Sequence, residues 1–149
     1  MASGLEDYLK AMEERLNATE VSAGFFADAT YPDGTSVATV AASNEFGDPG
    51  HNQPPRPFFR LAIAENQDEW SSALARGLSN GIDARTVFEV IGAKMQGDIQ
   101  QSIASLMDPA LSQATIDRRR SRKVLPNKST KPLVDTRVMI TSVEYEVKE

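Results

Sequence analysis

Hydrophobic positions recur at helical spacing over much of the chain. Leu5, Leu9, Met12 and Leu16 fall at i, i+4, i+7 and i+11, which predicts a short amphipathic helix over Leu5–Leu16. Ser3, with Glu6 three residues later, supplies a capping box for its start. Val21–Ala29 reads as a strand instead, with Phe25 and Phe26 following the small residues Ser22, Ala23 and Gly24. Tyr31-Pro32-Asp33-Gly34-Thr35 has turn chemistry, Pro fixing φ and Gly accepting a positive φ. Ser36–Phe46 is ambiguous. Val37, Val40 and Ala41 fit helical spacing, whereas strand alternation would expose Val37 or Val40. The helix is favoured, capped by Thr35 or Ser36 and stopped at Gly47.

Gly47–Pro57 is a loop by composition, and its three prolines Pro54, Pro55 and Pro57 favour an extended backbone with few amide donors. A helix then starts at Pro57 and runs to Asn80, with Phe59, Ile63, Trp70, Leu74 and Leu78 along one face and Gly81 as its stop. Asp83 caps a second long helix, Ala84–Leu106, whose stripe is Phe88, Ile91, Met95, Ile99, Ile103 and Leu106. Its Asp98, Gln100 and Gln101 read as a solvated back. The short Asn-Gly connection makes the two long helices an antiparallel pair. Asp108-Pro109 ends the second. A further short helical piece is expected within Ala110–Arg122, and a turn or short helix with an Asp135/Thr136 cap within Leu133–Met139. Ile140–Val147 alternates as a strand, and Val21–Ala29 is its expected partner. The fold class expected is α+β: a small antiparallel sheet packed against two long antiparallel helices, plus a short N-terminal helix, in one domain over residues 1–149.

Composition narrows the chemistry. At 149 residues, 40% hydrophobic and 25% charged, the chain has ordinary globular usage, against a disordered, collagenous or coiled-coil protein. No apolar run approaches the roughly 20 residues that span a bilayer. The longest, Phe58–Ala64, is interrupted by Arg60. The first residues show no basic stretch followed by an apolar one, so a soluble protein without a secretory signal is expected. Cysteine is absent and His51 is the one histidine, which excludes disulfides, thiolate chemistry and a two-His metal site within one chain.

Charge is unevenly spread. Between Asp117 and Pro132 lie Arg118, Arg119, Arg120, Arg122, Lys123, Lys128 and Lys131 against one acid, a net +6. The remainder holds nine bases against 20 acids, a net −11. Three readings of this run stay open: a solvated arm at about 117–132, a contact with the acidic surface of a neighbouring subunit or tail protein, and phosphate neutralisation on DNA without sequence readout. No aromatic residue lies within it, which disfavours single-strand stacking. Glu45, Asp48 and His51, spaced three apart, form a nominal metal or acid/base set. They sit in a Gly/Pro loop with no second acid-rich motif beside them, and no Gly-Lys-Ser/Thr phosphate loop occurs anywhere.

The most specific feature is Asn44-Glu45-Phe46-Gly47 followed by Pro54-Pro55-Arg56-Pro57-Phe58-Phe59-Arg60. Local structure alone explains it as a helix end, a stiff loop and the next helix start. The arrangement also resembles the neck, or tail-completion, proteins that join tail tube to head in tailed-bacteriophage virions. The resemblance extends to Ala29-Thr30-Tyr31-Pro32-Asp33-Gly34-Thr35-Ser36-Val37-Ala38 and to Met95-Gln96-Gly97-Asp98-Ile99-Gln100-Gln101-Ser102-Ile103. It recurs in Ala114-Thr115-Ile116-Asp117-Arg118-Arg119 and in Lys131-Pro132-Leu133-Val134-Asp135-Thr136, so that five blocks stand in order. Two positions depart from the family pattern: Arg137 replaces the Gly that usually follows Asp-Thr, and Ala114 replaces a Pro.

The resemblance implies a small α+β fold that assembles as a ring at the head–tail junction, without enzymatic activity or cofactor. It implies a virion location after assembly in the host cytoplasm, with tail tube and head-side connector or portal as neighbours and a channel left for DNA. Six copies are expected, to match a tail tube, with twelve as the alternative. A ring needs a heterologous interface, which the stiff loop and the opposed charges suit. The Asn44–Arg60 block is then the candidate assembly site and Arg118–Lys131 the candidate basic contact. The alternative from another class is a small non-sequence-specific nucleic-acid-binding protein acting through Arg118–Lys131.

Overall fold

The computed structural model of the chain describes residues 4–106 and 138–149. Helix α1 spans Gly4–Arg15, strand β1 Glu20–Phe25 and helix α2 Val37–Phe46. A 3-10 turn at Pro49–His51 leads to the long helices α3, Phe58–Ser79, and α4, Ala84–Ser105. A helical turn α5, Val138–Thr141, precedes strand β2, Val143–Lys148. The architecture is α+β, with α3 and α4 antiparallel and one two-stranded antiparallel sheet among the described residues.

The helix ends follow local chemistry. Ser36 Oγ accepts from Thr39 N–H at the start of α2, and Gly47 ends that helix at φ 80°, a conformation an L side chain resists. Asp83 accepts from both the Thr86 backbone N–H and the Thr86 hydroxyl, capping α4. Those bonds, the hydroxyl's first, hold the Asp83 carboxyl below its ordinary value of 3.8. Gly81, at φ 82°, turns the chain between the long helices.

The strands differ from expectation at their ends. Glu20 pairs with Lys148 and Phe25 with Val143, and there β1 stops, because α5 occupies the chain just before β2 and continues no strand opposite residues 26–29; Ala29 instead accepts from Val37 N–H. Ile140 and Thr141, expected in the strand, belong to α5. Ser142 N–H and both the Thr141 and Ser142 hydroxyls return to Val138 O, holding a helical turn. From Val143 the alternation is as expected, Val143 fully buried and Glu144 and Glu146 exposed.

The core joins Val37 and Ala41 of α2, Phe58 and Ala62 of α3, Ile99 and Ile103 of α4, Met139 and Val143. The sheet packs on α4. It meets α3 through that helix's first turn, where Phe25 and Phe58 make an edge-on ring contact at 6.0 Å. The inward face of α3 is therefore led by Phe58 and Ala62, one position away from the Phe59–Ile63 stripe expected, and Phe59 is only partly buried. The back of α4 is not simply solvated. Asp98 accepts from Trp70 Nε1 at 2.7 Å, and Gln100 and Gln96 donate to the Ile140 and Val143 carbonyls. Gly92 exists for Tyr145, whose ring lies where a Cβ would stand.

The expected Ser3 cap, the helical piece within 110–122, the Asp135/Thr136 cap and the whole basic run lie outside the described residues. No helix among the described residues is long and apolar enough to cross a membrane.

Candidate functional site

The Asn44–Arg60 block folds back on itself as one wired unit. Pro57 stands at the N-cap of α3 and makes no side-chain cap, so the first amides of that helix need acceptors from elsewhere. Glu45, on the last turn of α2, supplies them. Its Oε2 accepts from Phe59 N–H at 2.9 Å and its Oε1 from Arg60 N–H at 3.2 Å. The same Oε1 takes Arg60 Nε at 2.7 Å, and Arg60 Nη2 donates to Glu45 O at 3.0 Å. Glu45 is 5% exposed. Its charge is matched by the α3 N-terminal dipole and by a guanidinium, which is how a carboxylate tolerates burial.

The other residues brace the loop between the helices. Asn44 O accepts from Arg56 N–H at 2.6 Å, and Asn44 Oδ1 accepts from Gln53 Nε2 at 2.9 Å. Asp48 and Gln53 pair as a short antiparallel bridge. A Cβ on Gly47 would lie 2.9 Å from Gln53 O and 3.0 Å from Pro55, so Pro55 and the Gln53 carbonyl pack where only Gly fits. Arg56 is buried, its Nε has no hydrogen-bond partner, and burial pulls its guanidinium below its ordinary pKa. Phe58 enters the core, Phe59 flanks it, and Arg60 stacks over the exposed Phe46 ring at 5.3 Å. Pro54, Pro55 and the Pro49–Asn52 tip face solvent.

No acid/base or metal set forms here. His51 Nδ1 lies 2.8 Å from Asp48 Oδ2 at the exposed loop tip, while Glu45 is committed to α3. Among the described residues no group of three or more His, Cys, Asp or Glu could hold a metal ion. Comparison with protein-family models, curated proteins and solved structures finds no match.

One feature of this region escaped the sequence-based expectations: an apolar groove of about 430 Å³ between β1, α2 and the start of α3. Gly24, Ala38, Ala42 and Phe59 line it, with Glu45 and Arg60 at its polar end. Its signal was the small-residue spacing Ala38, Ala41, Ala42 on α2, which leaves a helix face too flat to fill the space beside it. Of the candidate contacts, Asn44 to Arg60 are brought together, whereas Arg118, Arg119, Arg120, Arg122, Lys123, Lys128 and Lys131 lie outside the described residues.

Proposed function

We propose that the chain is a structural virion protein of a tailed phage, forming a ring at the head–tail junction and leaving a channel for DNA. Six copies match a tail tube, and twelve are the alternative. Its work is mechanical, joining tail tube to portal or connector. The observation that carries this reading is the build of the Asn44–Arg60 block, the segment with the most specific resemblance to neck proteins. Its residues hold a solvent-facing, proline-braced loop by hydrogen bonds from both flanking helices, so the loop loses little entropy when it docks. The +6 run against a −11 remainder supports contacts between unlike surfaces of neighbouring copies.

Electron microscopy of purified particles tests it. A ring of this chain at the head–tail junction is the expected density, and virions that lack the polypeptide overturn the reading. The basic run favours one other reading, a nucleic-acid-binding module. That module would retain duplex DNA as a monomer, with affinity falling steeply as salt rises. The ring component instead adds mass to purified tails, and neutralising Arg118–Lys131 abolishes joining.

A further inference from the structure

Arg56 lies between Pro55 and Pro57, and its backbone is pinned on both sides. A residue before proline is held to extended conformations. Its N–H donates to Asn44 O at 2.6 Å. Its carbonyl accepts from Phe58 N–H at 2.8 Å across Pro57, whose φ of −80° and ψ of 59° make an inverse γ-turn. The side chain therefore leaves a fixed stem.

That stem carries a charge without a partner. Arg56 is 8% exposed, and its guanidinium makes no hydrogen bond or ion pair among the described residues. Glu45, the buried acid of the same block, has both oxygens committed to α3 amides and Arg60. Asp48 Oδ2 stands beside His51 Nδ1 at the loop tip. Arg15 Nε is likewise enclosed and unpartnered, but Arg15 Nη2 donates to Leu78 O, which anchors that side chain. Nothing anchors the Arg56 fork. Its Nε is sealed from water, and the end that remains open is the Nη pair.

A guanidinium keeps its charge at any physiological pH, even where burial lowers its pKa. Enclosed and unpaired, that charge works against folding, and an apolar side chain of similar volume would stabilise the same seat. Groups held at a cost to stability gather at functional sites. A rigid fork with its Nη pair open matches a planar carboxylate in bidentate geometry.

We propose that Arg56 is the receptor for a carboxylate, the Asp or Glu side chain of a molecule that docks against the Asn44–Arg60 block. A phosphate of duplex DNA fits less well. The duplex presents a broad surface to a recessed group, whereas a carboxylate on a side-chain stem reaches into the recess. The acidic remainder of the chain, net −11, also repels a polyanion more strongly than a single carboxylate. That the carboxylate belongs to a docking neighbour rests on the virion reading above; that the fork takes a carboxylate rests on Arg56 itself.

Nuclear magnetic resonance of the wild-type chain, with the Arg56 Nε–H signal assigned from the backbone, tests the receptor. Sodium propionate is titrated against sodium chloride at matched ionic strength. The expected result is a saturable shift of that signal, about tenfold larger than the shift with chloride. A drift with propionate that matches chloride overturns the proposal, and so does inorganic phosphate that saturates the signal at a lower concentration than propionate. The source of the carboxylate is read from addition to purified tails. Arg56→Met, with a thermal midpoint at or above that of the wild type, is expected to weaken addition about tenfold, and Arg56→Lys, which keeps the charge without the fork, to recover only part of it. A markedly lower midpoint in both variants overturns the proposal, because the guanidinium then supports the fold. A junction ring built equally well by Arg56→Met sinks the receptor and leaves the virion reading standing, whereas saturable propionate binding in a protein absent from virions does the reverse.

Discussion

Glu45 shows how much one side chain holds when a helix begins on proline. It accepts from two α3 amides and from Arg60 while nearly excluded from water. Glu45→Ala leaves those amides without acceptors and is expected to cost about 2–3 kcal/mol, read as a lower urea midpoint. Glu45→Gln keeps one acceptor but loses the charge that complements the helix dipole and guanidinium, and should fall between the two. From sequence, Glu45 suggested a spacing of three with Asp48 and His51 and a place in the candidate assembly block. Its true partners lie 14 and 15 residues on, and nothing local announces a contact made by the chain folding back.

At the scale of elements, ends with their own chemistry were legible and ends set by neighbours were not. Ser36, Gly47 and Asp83 mark helix boundaries through bonds within a few residues, and all three act as expected. The strand ends depend on what lies opposite, and both were misjudged. Asp83 offers a pH test. Its carboxyl is held below 3.8, so its contribution is present above that value and lost as pH falls through the lowered one. The stability difference between the wild type and Asp83→Asn should therefore shrink as pH drops from about 6 to about 2, measured by thermal unfolding of both. Packing between elements gives a second test. A methyl at Gly92 enters the space of the Tyr145 ring, whose hydroxyl the Glu89 carboxylate holds above its ordinary pKa. Gly92→Ala is expected to destabilise by about 1–3 kcal/mol, with much of the loss recovered in Gly92→Ala/Tyr145→Ala by a double-mutant cycle.

At the scale of the whole molecule, the stiffness of the loop that α2 and α3 hold between them bears on stability and, on the virion reading proposed above, on assembly. Pro54→Gly/Pro55→Gly is expected to cost about 1–2 kcal/mol of stability. On the virion reading proposed above, whatever part of that entropy the glycine loop keeps in the free protein is lost on docking instead, so addition to purified tails weakens by at most about 5- to 30-fold, and by less the more stability falls; sedimentation with tails checks it. Residue patterns along the chain were enough for the α+β class, the antiparallel pair of long helices, the pairing of the C-terminal strand with β1, and a stiff loop between Gly47 and Pro57. Each follows from periodicity, from caps, or from backbone limits at glycine and proline, all of which act over a few residues. Three-dimensional packing settled the rest: that Phe58 rather than Phe59 leads into the core, that Glu45 caps a distant helix, that α1 lies bare, and that small residues on α2 leave a groove. These depend on which surfaces meet across tens of residues, and hydrophobic spacing records how apolar a face is without recording what will cover it.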